Sequence, residues 1–179
     1  MRAIRITFVV LALSAMVFAQ QDKSKRPSPP GTAQVTLNGK NISVDYSRPS
    51  MKGRKIFGSG DGFLVPYGQV WRAGANEATT LKTAADLDIG GTNVPAGTYT
   101  LFVLPEQNKW TLIISKKTGE WGIPYPGQQD DFARVPMNVT QSSQTVDQFT
   151  ISLDKRGNNQ ADLSMAWANT KASVPIQVK

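Results

Sequence analysis

Residues 35–46 read VTLNGKNISVDY, and this stretch carries the pattern that decides the fold. Its centre, Asn38-Gly39, is a dipeptide typical of two-residue β-hairpin turns, because both residues tolerate the left-handed backbone that these turns require. Beyond the turn, Ile42 and Val44 alternate with polar residues, as expected of a strand with one buried face. The stretch therefore predicts two antiparallel strands joined by a tight turn.

Short alternating runs of the same kind recur along the rest of the chain. They lie near residues 79–83, 87–89, 98–104, 110–115, 135–139, 149–153, 163–167 and 174–178. Residues 105–109 are predicted to form a second hairpin turn. No stretch after residue 31 shows a sustained helical period of apolar residues. We therefore predict an all-β protein, with residues 32–179 forming a single-domain antiparallel β-sandwich or jelly-roll-like barrel.

The amino terminus has the three parts of a secretory signal. Arg2 and Arg5 precede the uncharged apolar run 6–18, which is shorter than the roughly 20 residues that a transmembrane helix needs. Small residues then stand at the −3 and −1 positions of a cleavage site after Ala19. We predict that residues 1–19 are a removable signal peptide, and that the mature protein is periplasmic or secreted without a membrane span.

The mature chain is predicted to be one modestly basic domain behind a linker. Residues 20–31 are polar and Pro-rich, which is typical of a flexible linker. Loss of Arg2 and Arg5 with the signal lowers the net charge from +7 to +5. The protein is predicted to be exported, and this positive charge is modest for a protein that binds a phosphate backbone. We therefore predict no nucleic-acid partner.

Two absences in the composition narrow the chemistry. The chain has no histidine, which excludes a Ser-His-Asp triad and histidine metal ligands. It also has no cysteine, which excludes a thiol nucleophile, a cysteine zinc site and stabilising disulfides. Carboxylate, lysine, tyrosine and hydroxyl chemistry remain. We predict no cofactor and no metal site, and the composition leaves open whether the protein is an enzyme.

Two long stretches without strand signals, residues 48–76 and 119–132, are where function is expected, since long loops in compact domains are often functional. In the first, basic residues interleave with aromatic ones. Arginine matches carboxylate and phosphate oxygens, and aromatic faces accept sugars or cations. We predict a small-molecule or glycan binding site there. Its candidate residues are Arg48, Arg54 and Arg72 for oxygen contacts, Tyr67 and Trp71 for stacking, and Asn76 and Glu77 for ligand orientation.

Several strings in the chain resemble one family of exported bacterial proteins, the domain of unknown function 2911 family. They are YSRPS at 46–50, KGR at 52–54, PYG at 66–68, WRAGANEATT at 71–80 and PAGTY at 95–99. The resemblance covers nearly the whole mature chain. It implies export and favours the 72–77 run as a site, but it implies no reaction.

A structural role for the same residues is left open. Arg72 and Glu77 could pair with each other, or Glu77 with Arg54, as a buried network that rigidifies the loop of an envelope module. Gly74, which stands between two alanines, indicates a close backbone approach or a positive φ.

An enzymatic role is the second alternative. In a chain without histidine, a pair of carboxylates could act as general acid and base on envelope or extracellular glycans. The candidates are Asp61 or Glu77 from the first loop, and Asp130 or Asp131 from the second. This hypothesis requires the two loops to meet.

Overall fold

A computed structural model describes residues 22–179. Almost all of its secondary structure consists of β-strands, in which apolar and polar residues alternate. The predicted signal peptide lies outside the described residues. The strands are β1 (Pro30–Leu37), β2 (Lys40–Ser47), β3 (Lys55–Gly58), β4 (Phe63–Pro66), β5 (Thr80–Thr83), β6 (Leu87–Ile89), β7 (Thr92–Val94), β8 (Gly97–Pro105), β9 (Trp110–Ser115), β10 (Asp131–Lys155) and β11 (Gln160–Val178). Within 22–179 the helical elements are two 3₁₀ turns, Lys23–Lys25 and Gln128–Asp130. No helix in this range is long and apolar enough to cross a membrane.

Nine strands form one antiparallel sheet, in the order β1-β2-β5-β8-β9-β10-β11-β6-β7. The prediction of an all-β fold is confirmed, and the barrel alternative is not, because the sheet is not closed. The sheet nevertheless folds over itself. The Tyr46 hydroxyl on β2 accepts a hydrogen bond from the Ile151 amide on β10 at 2.9 Å, although three strands separate β2 from β10 in the sheet. The two halves therefore face each other across one core.

The hairpin that opens the sheet forms as predicted. Asn38 and Gly39 have φ of 47° and 73°, and Leu37 pairs with Lys40 across the turn. Positive φ at both central residues is the signature of a type I′ turn, whose twist matches that of the flanking strands. This geometry places Leu37, Ile42 and Val44 in the buried core.

The longest strands are continuous where the sequence predicts pairs of shorter ones. β10 joins the runs predicted near 135–139 and 149–153, and β11 joins the last two runs. Residues 140–148, between the two predicted parts of β10, are mostly exposed, so they carry no apolar alternation although their backbone continues the strand. Register shifts occur here, and Ala168 opposite has φ of 52°, as in a β-bulge.

Aromatic side chains fill the centre of the core and fix the first predicted loop to it. Trp71 stacks on Trp167, with ring centres 5.8 Å apart and ring planes 19° from parallel. Phe57 and Phe149 meet the Trp71 ring edge-on at 5.7 and 4.9 Å. Phe57 lies on β3, which pairs in parallel with β4, so the stretch predicted to be irregular contains two short strands.

The amino-terminal segment lies against the fold. β1 begins at Pro30, inside the range that composition assigns to the linker. The Ser28 carbonyl accepts a hydrogen bond from the Asn76 side chain at 2.9 Å, and the Arg48 amide donates to the Pro29 carbonyl at 2.8 Å. Residues 28–31 therefore cover part of the loop that the sequence singles out.

Candidate functional site

Backbone hydrogen bonds to β8 hold the Trp71-Arg72 dipeptide in place. The Trp71 amide donates to the Val103 carbonyl and the Val103 amide donates to the Trp71 carbonyl, both at 2.8 Å. This isolated antiparallel bridge to β8 directs the Trp71 ring into the aromatic core. It also places Arg72 beside the second predicted loop, whose Gly122 packs on it.

Beside this bridge lies a pocket of about 310 Å³, which we call the Arg72 pocket. Its charged lining residues within 22–179 are Arg54 and Arg72. Its apolar walls are formed by Leu64, Val65, Val70, Trp71, Ile123 and Trp167. Leu64 and Ile123 are 43% and 58% exposed, so the lining of the pocket reaches solvent at these two side chains. The pocket thus combines cationic groups with an apolar surface.

Both arginines are oriented by backbone carbonyls. Arg72 Nη1 donates to the carbonyls of Asn76 and Trp121 at 2.9 and 3.3 Å. Arg54 donates from Nε to the Met51 carbonyl at 2.9 Å and from Nη2 to the Ser50 carbonyl at 2.7 Å. In the described part of the chain neither arginine forms a salt bridge. The two cations therefore face the pocket without a carboxylate counter-ion from residues 22–179.

Partial burial changes the electrostatics of Arg72. It lowers the pKa of the Arg72 guanidinium, because the charged form loses part of its hydration. An arginine nevertheless stays protonated at any physiological pH. A partly dehydrated cation without a counter-ion favours an anion more strongly than a fully solvated one does.

The two loops meet, as the enzymatic hypothesis requires. The Ala78 amide donates to the Glu120 carbonyl at 3.0 Å, and Gly122 packs on Arg72 so closely that an added Cβ would lie 3.1 Å from Arg72 Cβ. Ile123 follows at the mouth of the pocket. The second loop thus supplies a wall of the pocket.

Glu77 does not pair with Arg72 or Arg54, so the two pairings considered from the sequence are wrong. Its carboxylate accepts from Lys23 Nζ at 2.9 Å and from Arg26 Nη1, which lies 2.9 Å from each oxygen. The hydrogen bond from Lys23, with a smaller contribution from Arg26, lowers the pKa of Glu77 to about 2. The Glu77 side chain is 40% exposed, so the ion pair is not the buried network of the structural hypothesis.

Three further candidates lie outside the lining of the Arg72 pocket. Arg48 donates to the Phe149 carbonyl at 3.5 Å and to Thr150 Oγ1 at 3.2 Å, which ties the loop to β10. Asn76 donates to the Ser28 carbonyl. Tyr67 is half-buried beside β4. Of the seven predicted residues, the structure brings Arg54, Trp71 and Arg72 together around one pocket.

Sequence reasoning missed the pocket residues that come from outside the first loop. Ile123 lies in the second predicted loop, and Trp167 lies on β11 near the end of the chain. The alternation on β11 predicts that Trp167 faces inward. No local pattern could indicate that its ring would stack on Trp71.

Two carboxylates of the enzymatic hypothesis, Asp131 and Glu77, already accept hydrogen bonds from other side chains. Asp131 accepts from the Tyr125 hydroxyl at 2.6 Å and from Arg134 Nε at 2.7 Å. Glu77 is held by two cations, and Asp61 is exposed in the turn between β3 and β4. Across residues 22–179 no group of three or more acidic side chains could hold a metal ion.

The Glu77 ion pair predicts a pH dependence of stability. The folded-state pKa of about 2 lies below the usual value of 4.5, so the pair stabilises the fold above about pH 4.5 and loses this effect as the pH falls toward 2. We expect Glu77→Gln to lower the free energy of unfolding at neutral pH by no more than about 1 kcal/mol, because the pair is partly exposed. The difference from wild type should shrink on acidification.

Urea unfolding at neutral pH and at about pH 3 measures this difference. Glu106→Gln, in the exposed turn between β8 and β9, is the matched control and should show no such convergence. A constant gap between Glu77→Gln and wild type across this range would contradict the assignment.

Comparison with known proteins places the chain in a family. A search of curated proteins and a search of solved structures found no match. A family model described as "Protein of unknown function (DUF2911)" matches residues 28–176, a range that includes every residue lining the Arg72 pocket. The resemblance seen in the sequence is confirmed. Because the match spans most of its length, the chain belongs to the DUF2911 family.

Proposed function

We propose that the protein is an exported small-molecule-binding module, and that its ligand enters the Arg72 pocket. The observation that carries the proposal is the pair of arginines, which line a mostly apolar pocket without a carboxylate partner in residues 22–179. Their guanidinium groups are fixed by carbonyls before any ligand arrives. Such pre-organisation reduces the entropy cost of binding.

The size and make-up of the pocket support this function. Its volume of about 310 Å³ lies at the lower end of the range for ligand pockets, which is about 300–1,000 Å³. Ligand pockets typically combine mostly apolar walls with a few placed polar groups. The Arg72 pocket has this composition, and Trp71 and Trp167 make its floor part of the rigid core.

The two rival functions have less support. A glycan hydrolase of the predicted kind needs a carboxyl group that is protonated near neutral pH, whereas the pKa of Glu77 is lowered to about 2. A purely structural role accounts for Arg48 and for the Glu77 ion pair. It does not account for two cations that line an open pocket.

A ligand screen tests the proposal. We expect at least one member of a panel of sugars, sugar acids, phosphates and carboxylates to raise the melting temperature of wild type. Arg72→Gln should weaken its binding by about 10-fold or more, since a hydrogen bond to a charged group contributes roughly 1.5–3 kcal/mol. Glutamine can still donate to the Asn76 carbonyl, so this variant should fold.

The control is Lys52→Gln, which removes a positive charge from the same loop but not from the pocket lining. It should bind like wild type. If no compound in the panel shifts the melting temperature, or if Arg72→Gln and Lys52→Gln respond alike, the Arg72 pocket is not the site.

A further inference from the structure

We propose that the ligand of the Arg72 pocket is a small amphiphilic oxyanion, with a carboxylate or phosphate head group on the arginines and an apolar body along Leu64 and Ile123. This inference rests on the proposed function and makes it specific. It separates two ligand classes that the sequence leaves open, because it excludes a glycan.

The arginines retain enough donors to bind an oxyanion. A guanidinium has five N–H donors. Arg54 and Arg72 each donate two hydrogen bonds to backbone carbonyls, which leaves three N–H groups on each without an acceptor in the described part of the chain. Carboxylate and phosphate oxygens fit the guanidinium fork and form shorter, stronger hydrogen bonds than neutral acceptors. Both head groups share this chemistry.

The tryptophans in the pocket do not offer a platform for a sugar ring. Trp71 is stacked on Trp167 and is met edge-on by Phe57 and Phe149. Trp167 is 1% exposed. The Trp167 ring is therefore part of the core, and the half-buried Trp71 ring has one face covered by Trp167.

The rest of the lining also disfavours a glycan. Among the described residues that line the pocket, Ser28 supplies the one hydroxyl group, and none has a carboxylate or carboxamide side chain to bind sugar hydroxyls. A polyhydroxylated ligand would leave many hydroxyl groups without partners on the apolar walls, which is costly. The same walls suit a hydrocarbon body.

The apolar body has a defined place at the mouth of the pocket. Leu64, Trp121, Ile123 and Phe132 are the large apolar side chains that are exposed within residues 22–179. Two of them, Leu64 and Ile123, line the Arg72 pocket from opposite loops. A ligand held by its head group on the arginines would cover these two side chains, and the burial of their apolar surface would favour binding.

Isothermal titration of the purified protein with four compounds measures the contributions of the head group and of the apolar body to binding separately. Octanoate and octyl phosphate carry both features, octanamide lacks the charge, and gluconate replaces the hydrocarbon with hydroxyl groups. We expect octanoate, octyl phosphate or both to bind at least about 10-fold more tightly than octanamide and gluconate. Arg54→Gln should reduce the octanoate affinity about 10-fold or more, whereas Lys52→Gln should not.

Two exposed positions test where the body lies. Ile123→Ser should weaken octanoate several-fold and leave folding intact, because Ile123 is 58% exposed. Phe132→Ser is the matched control, since Phe132 is exposed but does not line the pocket. Equal effects of the two substitutions would overturn the placement.

The outcomes distinguish this inference from the proposed function. Arg72-dependent binding of gluconate or another sugar compound in place of octanoate would overturn the ligand class and keep the binding module. Equal affinity for octanoate and octanamide would overturn the anionic head group. Binding only to phosphatidylglycerol vesicles, without response to the free compounds, would replace the small ligand by a membrane surface. No Arg72-dependent binding in any arm would overturn both proposals.

Discussion

Replacing Trp167 by alanine should lower the free energy of unfolding by about 3–5 kcal/mol, the largest effect that we expect from a single substitution. The Trp167 side chain is 1% exposed. Its ring stacks on Trp71 and also contacts Phe57 and Phe149, with ring centres 6.1 and 5.8 Å away. Its Nε1 donates to the Asp147 carbonyl at 3.0 Å. Alanine would leave a cavity where four rings meet.

Thermal unfolding measures the effect. For a chain of this size, 1 kcal/mol corresponds to about 2–4 °C, so Trp167→Ala should melt about 6–20 °C below wild type. Trp121→Ala is the matched control, because Trp121 is 50% exposed and its loss should change the free energy of unfolding by no more than about 0.5 kcal/mol. Similar melting temperatures for the two variants would show that the ring cluster does not hold the core together.

Gly74→Ala should lower the free energy of unfolding by about 2–4 kcal/mol, because it combines two costs. Gly74 has φ of 152°, a backbone conformation that residues with a side chain rarely adopt. An added Cβ would lie 2.9 Å from the Ser47 carbonyl oxygen and 3.3 Å from Thr79 Oγ1. The Ser47 oxygen belongs to the backbone of β2 and cannot rotate away.

Gly53→Ala separates the conformational cost from the clash. Gly53 has φ of 72°, but nothing lies within 4 Å of its added Cβ. We expect a loss of only about 1–2 kcal/mol there. Urea unfolding of both variants gives the comparison. If Gly74→Ala costs no more than Gly53→Ala, the close approach of the 74 backbone to β2 is not a constraint on the fold.

Local signals account for the parts of the fold that the sequence predicts well. The Asn38-Gly39 turn and the alternation in β2 depend on neighbouring residues, and the structure has both where they are expected. The continuity of β10 could not be predicted in the same way. Its middle residues, 140–148, are mostly exposed, and a strand without a buried face carries no apolar alternation.

The residues of the candidate site also differ in whether a local signal could predict them. Arg54, Trp71 and Arg72 lie within one stretch, so composition alone could single them out. Trp167 and Ile123 reach the same pocket only through the folding of the sheet. The sequence offers several cations as possible partners of Glu77. Its actual partners, Lys23 and Arg26, come from a segment whose composition indicates a linker.

The docked amino-terminal segment, residues 22–31, is part of the architecture of the Arg72 pocket and its surroundings. Ser28 lines the Arg72 pocket and holds Asn76, while Lys23 and Arg26 anchor the neighbouring Glu77. The predicted cleavage after Ala19 would leave only a few residues ahead of this segment. A protease that trimmed the chain past residue 28 would leave the strands whole but remove Ser28 from the lining of the pocket. Processing at the amino terminus and ligand recognition would then be two readouts of the same few residues.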